Sequence, residues 1–523
     1  MMHRRSGILL PLFSFPSSAS WGIGDIGDVA PMTAWLSAAG QRVLQLLPLN
    51  EMASGQQSPY SAMSAMAIDP IYIAVPHVPE FAALGGEANL DVGDRDQLAG
   101  ARHAKGVDYA AVRDLKQRML ARAFGRFMDE WQHQTPRAGE FRAYCEAEAW
   151  WIADYAVYRA LHEREHHRPW TEWDPTLERR DPSALDEARR TLAEPILFYQ
   201  YLQWIAHSQW QEARKSARAN GVALFGDLPF MVDGDSADVW VHQKQFRLDR
   251  SVGVPPDAFS ATGQDWGMPA YRWDAMATGG FAWLEDRARR SAALYDGYRV
   301  DHLVGFYRTY SRPRAGGPPS FEPATELEQR ALGEQAMAIF RAPGAEIIAE
   351  DLGVVPDFVR ESLAQLAAPG FRIFRWEREW DQDGQPFRDP AHYPPISVAA
   401  SGTHDTEPMR VWWEAAASGE RRAVAAIESV KALAGSTDLE HAPWSSSVRD
   451  VLLETLFASR SDLLLTPIQD VFGWADRINE PGTVTPHNWT FRLPWPCDQM
   501  ETTPDAEERK TTLREWATKY GRG

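Results

Sequence analysis

The stretch GYRVDH, Gly297–His302, carries the reading of the fold. It reads as a short strand that ends in charge. Arg299 and Asp301 lie two residues apart, so an extended chain points them to the same face. Runs of the same kind recur along the chain: RVLQLLPLN (Arg42–Asn50), a run near Ala67–Val75, GVALFGDLPF (Gly221–Phe230), EIIAEDLG (Glu346–Gly353), FRIFRW (Phe371–Trp376), ISVAASGTHD (Ile396–Asp405) and DLLLTPIQD (Asp462–Asp470). With GYRVDH they make eight strand candidates. Helical patterns separate them. Asp28–Gly40 has Pro31 in its first turn and Gly40 as its stop. Within 105–218, Val112, Leu115, Met119 and Phe127 repeat at helical spacing, and a second long pattern ends at Asn220-Gly221. The fold class predicted is α/β, a (β/α)8 TIM barrel with helical and loop insertions.

The expected organisation is a single catalytic barrel domain over 1–523. A mainly helical insertion, 76–218, follows the second strand, and loop insertions at 229–296 and 471–492 lie over the active-site groove. GILLPLFSF at the start is expected to be a lead-in to the barrel, and the last 25 or so residues a solvated terminal helix.

Composition narrows the function. The chain has 523 residues, 44% hydrophobic and 24% charged, which fits a globular protein. A formal net charge of -18 disfavours nucleic acid and anionic membrane surfaces as partners. Cys145 and Cys497 are the only cysteines, too few for a disulfide framework or a Cys-rich metal site. The 22 tryptophans offer flat faces that suit sugar rings as well as cores.

Acids or histidine close four of the strand candidates: Asp227 in GDLPF, Asp301 in YRVDH, Glu350 and Asp351 in AEDLG, and His404 and Asp405 in SGTHD. One such acid often caps the next helix, but four at one end of a barrel call for another reason. Glycosidic bond cleavage needs two carboxylates, one to attack the anomeric carbon and one to protonate the leaving oxygen. Arg299 beside Asp301 favours the ionised form a nucleophile needs. Anionic Asp301 and Asp405 near Glu350 favour the protonated form an acid needs.

These residues, with SGILL…SWGIGDIGD, GQRVLQLLPLN, SPYSAMSA, GDLPFMVDGDSADVW, GVPPDAFSATGQDWG and RINEPGT, resemble the 4-α-glucanotransferases, family 77 of the glycoside hydrolases and relatives of the α-amylases. The resemblance runs from about Ser6 to Arg492. It implies Asp301 as nucleophile, Glu350 as general acid/base and Asp405 as the group that grips sugar hydroxyls and stabilises the transition state. Arg299 would orient Asp301, His404 would hydrogen-bond the sugar and Asp227 would support the geometry. Tyr60, with Ser58 in SPYS, would stack under the sugar, Trp266 would cover the acceptor side, and Asn479 would lie in a loop over the groove.

The activity so implied is transfer of an α-1,4-glucan segment to the 4-hydroxyl of another glucan, with retention. No metal or organic cofactor is expected. The partners expected are maltooligosaccharides and α-1,4-glucans, with no nucleic acid, membrane or obligatory protein partner, and a cytoplasmic location. The aromatic stretch Val254–Trp273 would screen water. A hydrolase of the same superfamily and a non-catalytic glucan-binding protein are the alternatives. Leu303, Val304, Met268 and Thr406 depart from the usual family pattern beside the groove.

Three local signals point elsewhere. HEREH, His162–His166, matches a zinc-binding pattern but ends a polar helix with no obvious third ligand. Gly22, Gly24 and Gly27 spell the dinucleotide fingerprint, but no strand ends directly at the first glycine. Arg4 and Arg5 ahead of an apolar run suggest a secretory signal, yet Pro11 interrupts that run, and cleavage near Ala19 would remove SGILL.

Overall fold

Eight short parallel strands close into a barrel in the computed structural model, which describes residues 4–53, 55–256 and 263–523. In chain order they are β1 (Arg5–Leu9), β2 (Val43–Gln45), β3 (Ala223–Leu228), β4 (Gly297–Val300), β5 (Glu346–Ala349), β6 (Gly370–Ile373), β7 (Ser397–Ala400) and β8 (Leu463–Pro467). Each pairs in parallel with its neighbours, and β1 closes the ring against β8. Helices such as Val29–Ala38, Ala282–Leu294, Glu326–Arg341 and Ser446–Phe457 lie between successive strands in sequence. Two of the predicted boundaries are set by glycines at positive φ, Gly40 (72°) and Gly221 (69°), each two residues past its helix end.

One expected strand is replaced by another. Ala67–Val75 supplies no barrel strand. Ala62–Ile68 instead pairs antiparallel with Asn50–Met52, outside the barrel. Asp69 then caps a 3-10 turn by accepting from the Ile71 N–H, and Pro70 has no N–H for a ladder. The missing strand is β1, expected only as a lead-in. It is five residues long and contains Gly7, which weakens a strand pattern. That glycine is required, because a Cβ there would lie 2.4 Å from the Val43 carbonyl oxygen of β2. The terminal segment also differs from expectation. Helix Pro504–Lys519 buries Leu513 and Trp516, and Arg522 beyond it is fully buried, donating to the Phe457, Ser459 and Ser461 carbonyls.

Alternation along the strands decides where the charged ends go. Val43, Phe225, Ile348, Phe371, Val398 and Leu463 form a cluster separate from the main core. Their sequence neighbours Leu44, Leu224, Ala349, Ala399 and Leu464 belong to the core shared with the helices. The first set lines the barrel interior and the second packs outward. Counting two residues on from Phe225 gives Asp227, and two on from Ile348 gives Glu350. The interior face thus runs on to the acids at the C-terminal mouth.

Between β2 and β3 the chain builds long helices, Tyr109–Gln132, Ala149–Arg164 and Ala193–Ala219. Lys116 ties the first of these to the opening loop. It is buried, 3.1 Å from Asp25 Oδ2, and donates to the Ile71 and Ile73 carbonyls at 2.8 Å. Burial, with the Asp25 charge, pushes Asp28 up to about 7. In the same loop a Cβ on Gly24 would meet the Leu12 carbonyl oxygen at 2.0 Å. The glycine run is therefore explained by close packing. In HEREH the helix ends at Arg164 and His166 has φ 56°, so the two histidines do not share a helix face. His162 is buried with Nε2 3.1 Å from Asp235. No helix among the described residues is long and apolar enough to cross a membrane. Of the stretch Val254–Trp273, residues 257–262 lie outside the described residues.

Candidate active site

Arg299, on β4, organises the barrel mouth. Its side chain is buried and its Nη1 donates to both oxygens of Asp227 at 2.9 Å, across the β3–β4 pairing that sets the two residues opposite each other. The same Nη1 is 2.8 Å from Asp301 Oδ1, and Nη2 is 3.8 Å from Glu350 Oε2. One guanidinium therefore faces three carboxylates from three adjacent strands. One positive charge is shared among these acids, and the two most deeply set, Asp227 and Glu350, are raised. Burial pushes Glu350 up to about 7, against the pull of Arg299 and with the help of the Asp301 charge. Burial likewise raises Asp227 to about 6.

Glu350 is fixed by backbone. Its Oε2 accepts from the His302 N–H at 2.9 Å and its Oε1 from the Leu352 N–H at 2.8 Å. His302 presents that N–H from a left-handed conformation, φ 43°. Burial lowers the His302 imidazole to about 4, so the ring is neutral near pH 7. Asp351, the neighbouring acid in AEDLG, has a different task. It is buried, accepts from the Phe371 N–H at 2.7 Å, and sits where a Cβ on Gly370 would lie 2.3 Å from its Oδ2. It fastens β5 to β6.

Asp405 follows β7 and lies in the opposite electrostatic state. Burial acts to raise it, but His404 Nε2 at 3.2 Å and a hydrogen bond from Asn479 Nδ2 at 2.6 Å hold it at about 2. Arg477 donates to the Asp405 carbonyl at 2.9 Å, which anchors the 477–479 loop against the strand end. Asn479, predicted in a loop over the groove, is thus bonded to a carboxylate of the mouth.

Tyr60 links the two halves. Its hydroxyl donates to Asp227 Oδ2 at 2.7 Å and lies 3.1 Å from His404 Nε2, and its ring stacks on His404 with centroids 5.3 Å apart. Ser58 connects through Tyr60, its Oγ accepting from the Tyr60 N–H at 3.4 Å. Trp266 is half-buried and sets its ring edge-to-face on His302, centroids 4.9 Å apart. The structure therefore brings together Asp227, Arg299, Asp301, Glu350, His404, Asp405, Tyr60 and Asn479, with Trp266 on the His302 side and Ser58 behind Tyr60.

Some members are absent from the sequence reading. Trp489 packs its ring at 5.8 Å from Tyr60 and 5.9 Å from His404. It sits at φ 66° in an irregular segment with no period to flag it, one among 22 tryptophans. The His302 and Leu352 backbone donors were also invisible, since every non-proline residue has an N–H. Of the residues that depart from the family pattern, Leu303 is buried, and Thr406 Oγ1 accepts from the Thr403 N–H at 3.0 Å, closing the turn that holds His404 and Asp405.

Comparison with known proteins gives a consistent picture. A family model described as 4-alpha-glucanotransferase, that of glycoside hydrolase family 77, matches residues 10–498. The chain is 33% identical over 507 residues to a 4-alpha-glucanotransferase of Synechocystis, covering 94% of both chains. It is 32% identical over 503 residues to that of Thermus thermophilus, covering 94% of this chain and 95% of the relative. Among solved structures it is similar to an amylomaltase from Streptococcus agalactiae in complex with acarbose. That match has 28% identity and a TM-score of 0.82, and covers 99% of this chain and 100% of the other.

Proposed function

Because the chain belongs to the 4-alpha-glucanotransferase family and is an enzyme that transfers glucan segments, we propose that Asp301, Glu350 and Asp405 divide the chemistry of the transfer. The reaction is a retaining double displacement. Asp301, ion-paired at 2.8 Å to Arg299, attacks the anomeric carbon of an α-1,4-linked glucan. Glu350, raised to about 7, gives its proton to the departing glycosidic oxygen. The new ester joins Asp301 to the donor segment, and the released chain end leaves with its 4-hydroxyl restored. In the second half, Glu350 takes the proton from the 4-hydroxyl of an acceptor glucan, whose oxygen displaces Asp301 with net retention. Asp405, held at about 2, stays anionic throughout and binds sugar hydroxyls while opposing the positive charge of the oxocarbenium-like transition state.

The observation that carries this reading is the single guanidinium shared by Asp227, Asp301 and Glu350. Asp301 and Glu350 lie at adjacent strand ends within reach of that one charge, which supports reading them as attacking group and proton donor. Tyr60, stacked on His404, gives a sugar ring a flat aromatic face beside the acids. The parts of 229–296 and 471–492 around Trp266 and Asn479 act as covers of the groove, a reading supported by the Trp266–His302 and Asn479–Asp405 contacts. Maltooligosaccharides are the proposed donors and acceptors. A cytoplasmic location belongs to the same proposal.

Incubation with maltotriose tests the reading. The expected products are glucose and a ladder of longer and shorter oligomers. Maltose and glucose accumulating without longer chains would overturn it in favour of hydrolysis. Asp301→Asn is expected to abolish the ladder.

A further inference from the structure

The barrel's other end carries a feature the transfer reaction does not use. An open cavity of about 470 Å³ lies at the N-terminal ends of β1 to β4, lined by Arg4, Arg5, Arg42, Arg218, Gly221 and Asp296 among others. In a chain of net charge -18 this is a concentration of positive charge.

The arginines there are not all neutralised. Arg5 pairs with Glu346, and Arg218 pairs with Asp296 at 2.7 Å. Asp296 is shared, because Arg214 also reaches it at 3.1 Å. Arg4 spends its donors on the Tyr520 and Ser459 carbonyls, and its Nε is buried without a hydrogen-bond partner. Arg42 has no carboxylate partner among the described residues. Its guanidinium lies half-buried over Gly221, where an added Cβ would be 3.4 Å from Nη1. The fold holds the backbone of Arg42 firmly. Arg42 N–H donates to the Ser6 carbonyl at 2.7 Å, and its carbonyl accepts from Ala223 at 2.9 Å, so it is clamped between β1 and β3.

We propose that this cavity is a binding site for a small phosphate-bearing metabolite, separate from the active site at the opposite mouth. Guanidinium forks match phosphate oxygens with two donors at a time, and Arg42 is the lining arginine whose fork has no carboxylate or carbonyl partner among the described residues. The volume exceeds a bare phosphate and is in the range of small-molecule pockets, so an organic portion is accommodated beside the anion.

The test is calorimetric titration of the whole protein in chloride buffer at fixed ionic strength, with inorganic phosphate, glucose 1-phosphate and glucose as probes. Saturable binding of glucose 1-phosphate is expected, with none for glucose. Arg42→Ala is expected to weaken it by about 10- to 100-fold, the loss of a charge-assisted hydrogen bond, while maltotriose transfer stays within about twofold of wild type. Should Arg42→Ala lose transfer through misfolding, Arg42→Gln, which keeps most of the stem, carries the same comparison. Inorganic phosphate binding with the same Arg42 dependence would show that the anion alone is recognised, and tighter binding of the ester that its organic part contributes. The absence of saturable binding, or binding that Arg42 substitution leaves unchanged, would overturn the proposal.

Discussion

Glu350→Gln separates the chemical role of this residue from its structural cost. In the folded protein the carboxyl is raised from an ordinary 4.5 to about 7. The folded state thus holds a proton that the unfolded chain releases between those two pH values. Stability from this group is fully present below pH 4.5, declines as pH rises, and is lost above about 7. A rise from 4.5 to about 7 corresponds to about 3 kcal/mol, at about 1.36 kcal/mol for each tenfold change in proton affinity. Glutamine does not titrate, so it removes that pH-dependent penalty. It also lacks one of the two acceptor oxygens that receive the His302 and Leu352 N–H groups. That loss costs about 1 kcal/mol at every pH. The variant is therefore expected to be less stable than wild type by about 1 kcal/mol at pH 4 and more stable by about 2 kcal/mol at pH 8, a crossover rather than a constant offset. Transfer activity falls by about 10²- to 10⁴-fold, as for loss of a general acid/base. Urea unfolding of both proteins from pH 4 to 8 reads the crossover directly. A stability difference independent of pH would refute the claim that burial, with one shared arginine, keeps Glu350 protonated. Retained activity in the variant would refute its role.

Other perturbations follow from the same geometry. In wild type, kcat/KM for maltotriose is expected to fall as pH rises through about 7, where free-enzyme Glu350 loses its proton, and an unchanged rate at pH 9 would count against the assignment. Asn479→Ala removes the 2.6 Å donor to Asp405. Loss of such a charge-assisted bond, worth about 1.5–3 kcal/mol, should cut kcat/KM by about 10- to 100-fold, and a change under twofold would show that Asn479 does not tune Asp405. Tyr60→Phe keeps the ring on His404 but removes the hydroxyl that donates to Asp227, so Asp227 should titrate at higher pH than in wild type, read by carboxyl NMR or infrared bands. Lys116→Met leaves Asp25 buried without its cation and should destabilise the protein by about 3–5 kcal/mol in urea unfolding, with no direct effect on the barrel mouth.

Two features of the site reached the sequence in different ways. The acids were legible because strand periodicity is local: Arg299 and Asp301, or Phe225 and Asp227, differ by two positions and so share a face wherever the strand goes. The motifs around them were long enough to identify the family. Trp489 and the N–H groups that hold Glu350 were not legible, because their positions depend on loops with no period and on backbone conformations, φ 66° and φ 43°, that no composition announces. β1 was passed over for the related reason that its strand signal is five residues with a glycine among them. What makes it a strand is the close approach of Val43, a partner 36 positions away.

By itself, then, the sequence determined the alternating βα order, the family, the acids at the strand ends and the even spacing that turns them inward. Tertiary structure alone decided their protonation. Whether a carboxyl sits at 2 or at 7 depends on which single cation it shares, how deeply it is buried and which donors reach it. Glu350 and Asp405 have equivalent headgroups at the ends of similar strands. Only closure of the barrel gives one of them Asn479 and His404, and leaves the other to share Arg299 with Asp227 and Asp301.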